Sequence, residues 1–310
     1  MSATGEQRPE AGDRLPDLSI GPPRATAHRS LAHLRREPRH SAELVTQMIM
    51  GEEALVLGVR EPWLEVRLSD GYVGWVHQGS VVRSEVPDLA AFLEHLKERG
   101  PAPGWWVVVE RGAIARQDPD PGSAAAADLV RGAKLQVEDA GDRVIRVMLP
   151  DGTRGWLDRG AAIPAERLAE RFPTDGKSIV EHAAEYLGLP YLWGGTSEKG
   201  FDCSGLVQRI YGLHGVALPR DAGQQVQTGA PIEPGARWEK VGDGDLAFFA
   251  EPPAEHATHV GILTEGGRMI HASTSRNGVG WDDLGTDGEG TPLGARLGRW
   301  LIGIRRVLPA

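Results

Sequence analysis

The residues of this chain best suited to nucleophilic chemistry are its single cysteine, Cys203, and two histidines of one apolar segment, His259 and His271. One cysteine excludes an intrachain disulfide and a multi-cysteine zinc site, so Cys203 is either an inert small hydrophobe or a nucleophile. It stands in YLWGGTSEKGFDCSGLVQRIYGLHG, where Leu206, Val207, Ile210 and Leu213 form an apolar helical stripe and Asp202 occupies the N-cap position. Cys203 then opens the helix, where the positive end of the helix dipole and nearby N–H groups favour a thiolate. The base comes from THVGILTEGGRMIHAS, which reads as a β-hairpin around Glu265-Gly266-Gly267. With a three-residue loop from Thr264 to Gly266, paired residues sum to 530 and His259 lies directly opposite His271. A two-residue Gly-Gly loop would put the two imidazoles on opposite faces. His256, in the loop EPPAEHA, is the competing base; His28, His33, His40 and His95 read as solvated, and His182 and His214 as structural.

Other elements must hold these groups. SIVEHAAEYLG places Ile179, Val180, Ala183, Ala184 and Leu187 at helical spacing and opens a new unit near residue 178. Before it the chain repeats itself: Gly51 matches Gly132, Asp70-Gly71 matches Asp151-Gly152, Gly74-Trp75 matches Gly155-Trp156 and Gly79 matches Gly160, all at an offset of 81. Each copy reads as short strands around an Asp-Gly turn, hence a small barrel whose Trp75 or Trp156 fills the interior. Between the copies Leu89, Phe92, Leu93 and Leu96 share one helical face, with Asp88 as N-cap and Gly100-Pro101 as stop. The 41 glycines and 22 prolines suit such turn-rich barrels and disfavour a mostly helical protein. SRNGVGWDDLGTDGEGTPLGARLG, spanning 275–298, reads as a surface loop before RWLIGIRRVL returns to a strand.

Four segments in order, YLWGGTSEKGFDCSGLV, LPRDAGQQ, GDGDLAFF and HVGI with MIHAS, resemble the NlpC/p60 cysteine peptidases. The resemblance implies a papain-like α+β fold that cleaves bacterial wall peptides at bonds to or from D-amino acids. It implies Cys203 as nucleophile, His259 as general base and acid, and His271 as the residue orienting it. Tyr191 and the backbone N–H of Cys203 would form the oxyanion site. With two barrels ahead, the chain is similar to γ-D-glutamyl-L-diamino acid endopeptidases carrying paired bacterial SH3-type (SH3b) domains. In that group a Glu and a Tyr of the first barrel cap a free L-Ala amine, and Glu37 and Tyr72 match best. Tyr72 pairs with Thr153 in the second copy, so the barrel does not demand it. An ammonium needs acids around it, for which Asp202, Asp221 and Glu37 are candidates; Ser204 and Trp193 are further substrate contacts. Ala222 departs from the group, which carries a small hydroxyl residue there.

The expected fold is multidomain: two small SH3-like all-β barrels, then a papain-like α+β catalytic domain. The boundaries are 1–27 for a flexible tail, 28–84 and 104–163 for the barrels, 85–103 for a linker helix, 164–177 for a second linker and 178–310 for the peptidase. The expected enzyme hydrolyses the γ-D-Glu to L-Lys or meso-diaminopimelate bond of short murein peptides, as a monomer and without metal or organic cofactor. A formal charge of -9 offers no basic footprint for nucleic acid or anionic membrane. The first 25 residues hold no apolar run of the roughly seven residues a secretory signal needs, and no segment approaches the roughly 18 of a membrane span, which points to the cytoplasm. An exported wall-remodelling hydrolase whose barrels bind polymer, and a non-catalytic wall-binding protein, are the alternatives.

Overall fold

The computed structural model describes residues 19, 21–97, 104–232, 239–284 and 290–308. Most of the expected tail and the Gly100-Pro101 helix stop lie outside them. The first unit is built from β1 (Arg24–Ala27), β2 (Leu31–Arg35), β3 (Leu44–Ile49), β4 (Glu53–Arg60), β5 (Trp63–Arg67), β6 (Val73–His77) and β7 (Val81–Ser84). These form one antiparallel sheet in the order β3-β2-β6-β5-β4-β1-β7. Both edge strands send residues, Val45 and Met48 from β3 and Val81 from β7, into the same core as Leu34, Val56 and Val66. A sheet that shares one core from edge to edge must curl upon itself. Strand β1 falls where the sequence suggests a tail; its buried residues are Ala25 and Ala27, too small to register as an apolar run.

The second unit contains β8 (Trp105–Val108), β9 (Ala113–Arg116), β10 (Ala125–Leu129), β11 (Lys134–Ala140), β12 (Val144–Met148), β13 (Arg154–Asp158) and β14 (Ala162–Pro164). Its order, β10-β9-β13-β12-β11-β8-β14, repeats the first sheet strand for strand. One expectation fails in both copies, because Trp75 and Trp156 do not fill the interiors. Strand alternation turns Gly74 and Val76 inward and leaves Trp75 half-buried outside, and Gly155, Trp156 and Leu157 repeat the pattern. The glycines are needed there: a Cβ on Gly74 would lie 3.1 Å from Leu34, and one on Gly155 3.1 Å from Ala115.

Helix α1 (Leu89–Lys97) starts at Asp88, whose carboxylate accepts from the Ala91 N–H at 3.0 Å, and packs Phe92 and Leu96 on Leu55, Leu57 and Val73 of the first sheet. The two sheets meet through repeat-equivalent loops. Lys134 N–H donates to the Met50 carbonyl at 2.9 Å, and Met50 enters the second core. Arg131, the counterpart of Met50, reaches Glu185 of the third unit at 2.7 Å. The duplication thus stacks each unit on the next.

The third unit comprises helices α2 (Leu168–Arg171), α3 (Gly176–Ala184), α4 (Cys203–Leu213), α5 (Ala222–Gln225) and α6 (Pro292–Gly298), with strands β15 (Thr196–Ser197), β16 (Gly200–Phe201), β17 (Ala230–Ile232), β18 (Leu246–Phe249), β19 (His259–Leu263), β20 (Arg268–Ser273), β21 (Gly278–Asp283) and β22 (Leu301–Arg306). Six strands form an antiparallel sheet in the order β17-β22-β18-β19-β20-β21. Helices α3 and α4 cover one face through Ile179, Leu206, Val207 and Ile210 against Phe248, Val260, Ile262 and Ile270. Phe249, Leu263, Met269 and Ile304 pack with Leu297 of α6 on the other. Sequence 275–298 is therefore not a loop throughout: it holds β21 and α6, the latter capped by Thr291 with Pro292 in its first turn. Glycines at 278 and 280 hide the strand periodicity, and 285–289 lie outside the described residues.

The inter-barrel contact makes a testable contrast between two glycines of nearly equal backbone. Gly51 (φ 82) has no room, since a Cβ would stand 2.2 Å from the Lys134 carbonyl oxygen, whereas Gly71 (φ 84) has nothing within 4 Å. Gly71→Ala should cost about 1 kcal/mol, the left-handed backbone penalty alone, and Gly51→Ala at least about twice that. Equal melting temperatures for the two variants would contradict this packing.

Candidate active site

Asp202 caps α4, and its carboxylate is fully engaged. Oδ1 accepts from Gly205 N–H at 2.7 Å and Arg220 Nη1 at 3.1 Å; Oδ2 accepts from Gly194 N–H at 2.9 Å and Arg220 Nη2 at 2.5 Å. Arg220 is 1% exposed, and it also donates to Ser204 Oγ at 2.9 Å and, through Nε, to Thr46 Oγ1 of β3 at 3.0 Å. The side chains of Asp202 and Ser204, both expected at the substrate, are buried and bonded to Arg220, where they fix the helix start and the YLWGG segment.

Cys203, first residue of α4, is 8% exposed and packs with Ala257 and Val260. Its thiol meets the backbone N–H groups of Val260 and Ser204. Helix position alone favours a thiolate, yet the structure gives the opposite balance. Burial first, then the Asp202 carboxylate, push the thiol up to about 12, outweighing the two N–H groups and Arg220. At neutral pH the free enzyme therefore holds a protonated thiol.

The hairpin between β19 and β20 has a three-residue loop, but one position later than expected, at Glu265–Gly267. Ile262 pairs with Ile270 and Leu263 with Met269, so paired residues sum to 532 and His259 lies diagonal to His271. The shift is even, so both rings keep the same face. His259 Nε2 and His271 Nδ1 are 2.6 Å apart. Glycine makes the diagonal possible. By this register Gly261 faces His271 from β19, and on the other side Gly280 pairs with His271 from β21. A Cβ on Gly261 would lie 3.1 Å from the His271 Cβ and 2.3 Å from Met269 Sδ.

Beyond His271 the structure brings in residues that the sequence reading passes over. His271 Nε2 is 2.9 Å from Asp282 Oδ2, and both side chains are buried. Arg276 donates to Asp282 Oδ2 at 2.6 Å and to Oδ1 at 2.7 Å, and Thr291 Oγ1 is 2.5 Å from Oδ1. Burial alone would raise this carboxyl, but hydrogen bonds from Arg276, His271 and Thr291 hold it well below the ordinary carboxylate range. His259 is held well below its usual range, by desolvation first and then by His271, against the opposing pull of Asp282. The signal for Asp282 was its place two residues beyond the His271 partner on a paired strand, invisible without the pairing.

Around this core stand the remaining candidates. Tyr191 is half-buried and bridges Phe201; its hydroxyl is pushed up by burial, then by Cys203 and Asp202, which places it beside the thiol. Tyr72 of the first barrel is coupled to Asp221 of the third unit: burial first, then the Asp221 charge, push its hydroxyl up. Asp221 is itself raised, by desolvation first and by Asp202 and Asp70, against Arg220 and Tyr72. Glu37 is not brought to these groups. It is exposed and bonded to Arg39, while Glu43 of the same barrel accepts from Trp193 Nε1 at 2.8 Å and pairs with Arg36 at 2.6 Å. Trp193 is 57% exposed on the cleft edge, and Ala222 is buried. His256 sits exposed in its loop, whereas His182 and His214 are buried and 3.1 Å apart, bonded to Tyr186 and the Pro173 carbonyl. A cavity of about 450 Å³ lies elsewhere, between the barrels and α4, and is lined by Glu52, Lys134 and Arg209 but not by Cys203 or His259. Among the described residues no group of three His, Cys, Asp or Glu side chains is set to hold a metal ion.

Comparison with known proteins follows the same division. Residues 188–291 match the NlpC/P60 family, and residues 34–81 match the bacterial dipeptidyl-peptidase Sh3 domain. The chain is 30% identical to dipeptidyl-peptidase 6 of Lysinibacillus sphaericus over 82% of its own length and 89% of the relative's. It is 28% identical to a gamma-D-glutamyl-L-lysine dipeptidyl-peptidase of Bacillus cereus over 79% and 72% of the two chains. A crystal structure of an NlpC/P60 family protein from Bacillus cereus superposes with a TM-score of 0.73 at 24% identity, covering 92% of this chain and 100% of that one.

Removing Arg220 would leave Asp202 charged and buried without its partner. Arg220→Met should therefore destabilise the protein by about 3–5 kcal/mol, read by urea unfolding of the third unit. A loss below about 1 kcal/mol would show that the fork carries little of the fold.

Proposed function

We propose, given that the chain belongs to the NlpC/P60 family of cysteine peptidases, that it cleaves the γ-D-Glu to L-Lys or meso-diaminopimelate bond of short murein peptides with a free N-terminal L-Ala. The observation that carries this reading is the electrostatic coupling of Tyr72 of the first barrel to Asp221 of the third unit, which brings an acid to the junction of the two. The names of the relatives, dipeptidyl-peptidases acting at γ-D-glutamyl-L-lysine, support the same length of product. An ammonium at that junction would meet the Asp221 carboxylate, which its charge would stabilise, and Trp193 would wall the cleft beside it. Short free peptides are the substrates such a site suits, so we place the enzyme in murein peptide recycling in the cytoplasm, where a lone thiol stays reduced.

Chemistry begins with a neutral pair. His259 removes the Cys203 proton as the sulfur attacks the scissile carbonyl carbon, and the C–S bond forms. The carbonyl oxygen gains negative charge and is met by the Tyr191 hydroxyl and the Cys203 N–H at the start of α4. His259 then returns the proton to the leaving amine, the C–N bond breaks, and L-Ala-γ-D-Glu remains as a thioester. Water, deprotonated by His259, attacks the thioester and restores the thiol.

Acetylation of L-Ala-γ-D-Glu-L-Lys should lower kcat/KM by about 100-fold or more, because an amide gives the Asp221 carboxylate no cation to pair with. Equal turnover of free and blocked peptides by mass-resolved digestion would sink the amine-counting proposal. The base must be neutral to act, and its neutral fraction falls as pH drops through its pKa. Since His259 is held below its ordinary value of 6.5, the acid limb of kcat/KM should lie below pH 6.5. A limb at or above 6.5 would contradict the neutral pair.

A further inference from the structure

We propose that Asp282 is a positioning residue of this reaction: by accepting from Nε2 of His271 it fixes the tautomer of both imidazoles and leaves the Nδ1 lone pair of His259 for the Cys203 proton. The inference rests on the reading of Cys203 and His259 as the reacting pair. It follows by elimination along the hydrogen-bonded chain. Asp282 has four donors around two oxygens, namely His271 Nε2, both Arg276 nitrogens and Thr291 Oγ1, so it is ionised and can only accept. His271 must then carry its proton on Nε2. A neutral His271 consequently presents a lone pair at Nδ1, and the 2.6 Å contact requires His259 Nε2 to donate into it. The only ring nitrogen of His259 left with a lone pair is Nδ1. No other tautomer satisfies every member of the chain.

The setting gives Asp282 a second effect. The groups of the relay are His259 from β19, His271 from β20, Asp282 from β21, Arg276 from the β20–β21 turn and Thr291 before α6, with Cys203 of α4 reaching β19 at the Val260 N–H beside His259. Asp282 contributes the buried negative charge that makes His259 more basic, and Arg276, whose side chain is 37% exposed, is the counter-charge that tempers it. The two residues should therefore move the base in opposite directions. Structural damage cannot do this, since loss of packing has one sign.

The test uses Asp282→Asn and Arg276→Met in the full chain, with kcat and KM on L-Ala-γ-D-Glu-L-Lys and the pH dependence of Cys203 alkylation by iodoacetamide. Cys203 is the only cysteine, so alkylation is unambiguous and independent of the substrate. Asp282→Asn should lower kcat by about 100-fold or more with KM nearly unchanged, slow alkylation, and move the acid limb to lower pH. Arg276→Met keeps the carboxylate and should move the limb to higher pH. Unchanged kcat and limb in Asp282→Asn, or limbs that shift together in both variants, would overturn the proposal. If Asp282→Asn fails to fold, Arg276→Met still decides, because an unmoved or lowered limb there overturns it. Activity surviving in Cys203→Ala would instead refute the underlying reading of the reacting pair.

Discussion

The buried fork between Arg220 and Asp202 is the constraint from which the rest of the cleft takes its shape. Four donors converge on one carboxylate from three pieces of the site: the first turn of α4, the Gly194 turn behind Tyr191, and both arms of Arg220. Arg220 also grips Thr46 of the first barrel. A charge pair this deep adds little net stability compared with an apolar pair, but breaking it is costly, so it acts as a specificity device for the geometry. The sulfur inherits both consequences. It is held at a helix start beside its base, and it sits next to a carboxylate that discourages ionisation.

That last point shapes the chemistry. Dipole and N–H groups at a helix start argue for a thiolate; burial and Asp202 argue against it and win. The histidine pair compensates on the other side. Desolvation favours neutral His259, so the reacting pair starts without separated charges, and charge is created only when the substrate's carbonyl offers an acceptor. The glycines at 261 and 280 are the small print of this arrangement, because a side chain at 261 would press on Met269 and His271 and one at 280 on Arg276, the partner of Asp282.

Much of this was legible from residues alone, for identifiable reasons. The duplication was visible because glycine, aspartate and tryptophan recur at one offset, and the strand order of the second sheet repeats that of the first. The contact of His259 with His271 survived an error in loop placement, since a register error of two residues preserves the face. What failed had physical causes as well. Trp75 and Trp156 were read as core because tryptophan is large and apolar, whereas strand parity gives the interior to glycine. No periodicity announces that Arg220 will reach both Asp202 and Ser204. Glu37 and Glu43 share a loop, and only folding decides which one meets Trp193. Asp282 lies in a strand that its own glycines conceal.

The central claim is that Cys203 becomes covalently acylated by L-Ala-γ-D-Glu. Rapid acid quench of the enzyme with L-Ala-γ-D-Glu-L-Lys, followed by peptide mass mapping, tests it most directly. The account predicts an adduct of the dipeptide acyl group on the peptide containing Cys203, formed before product release and cleared by hydroxylamine. An adduct on another residue, or product formation by Cys203→Ala at the wild-type rate, would contradict it.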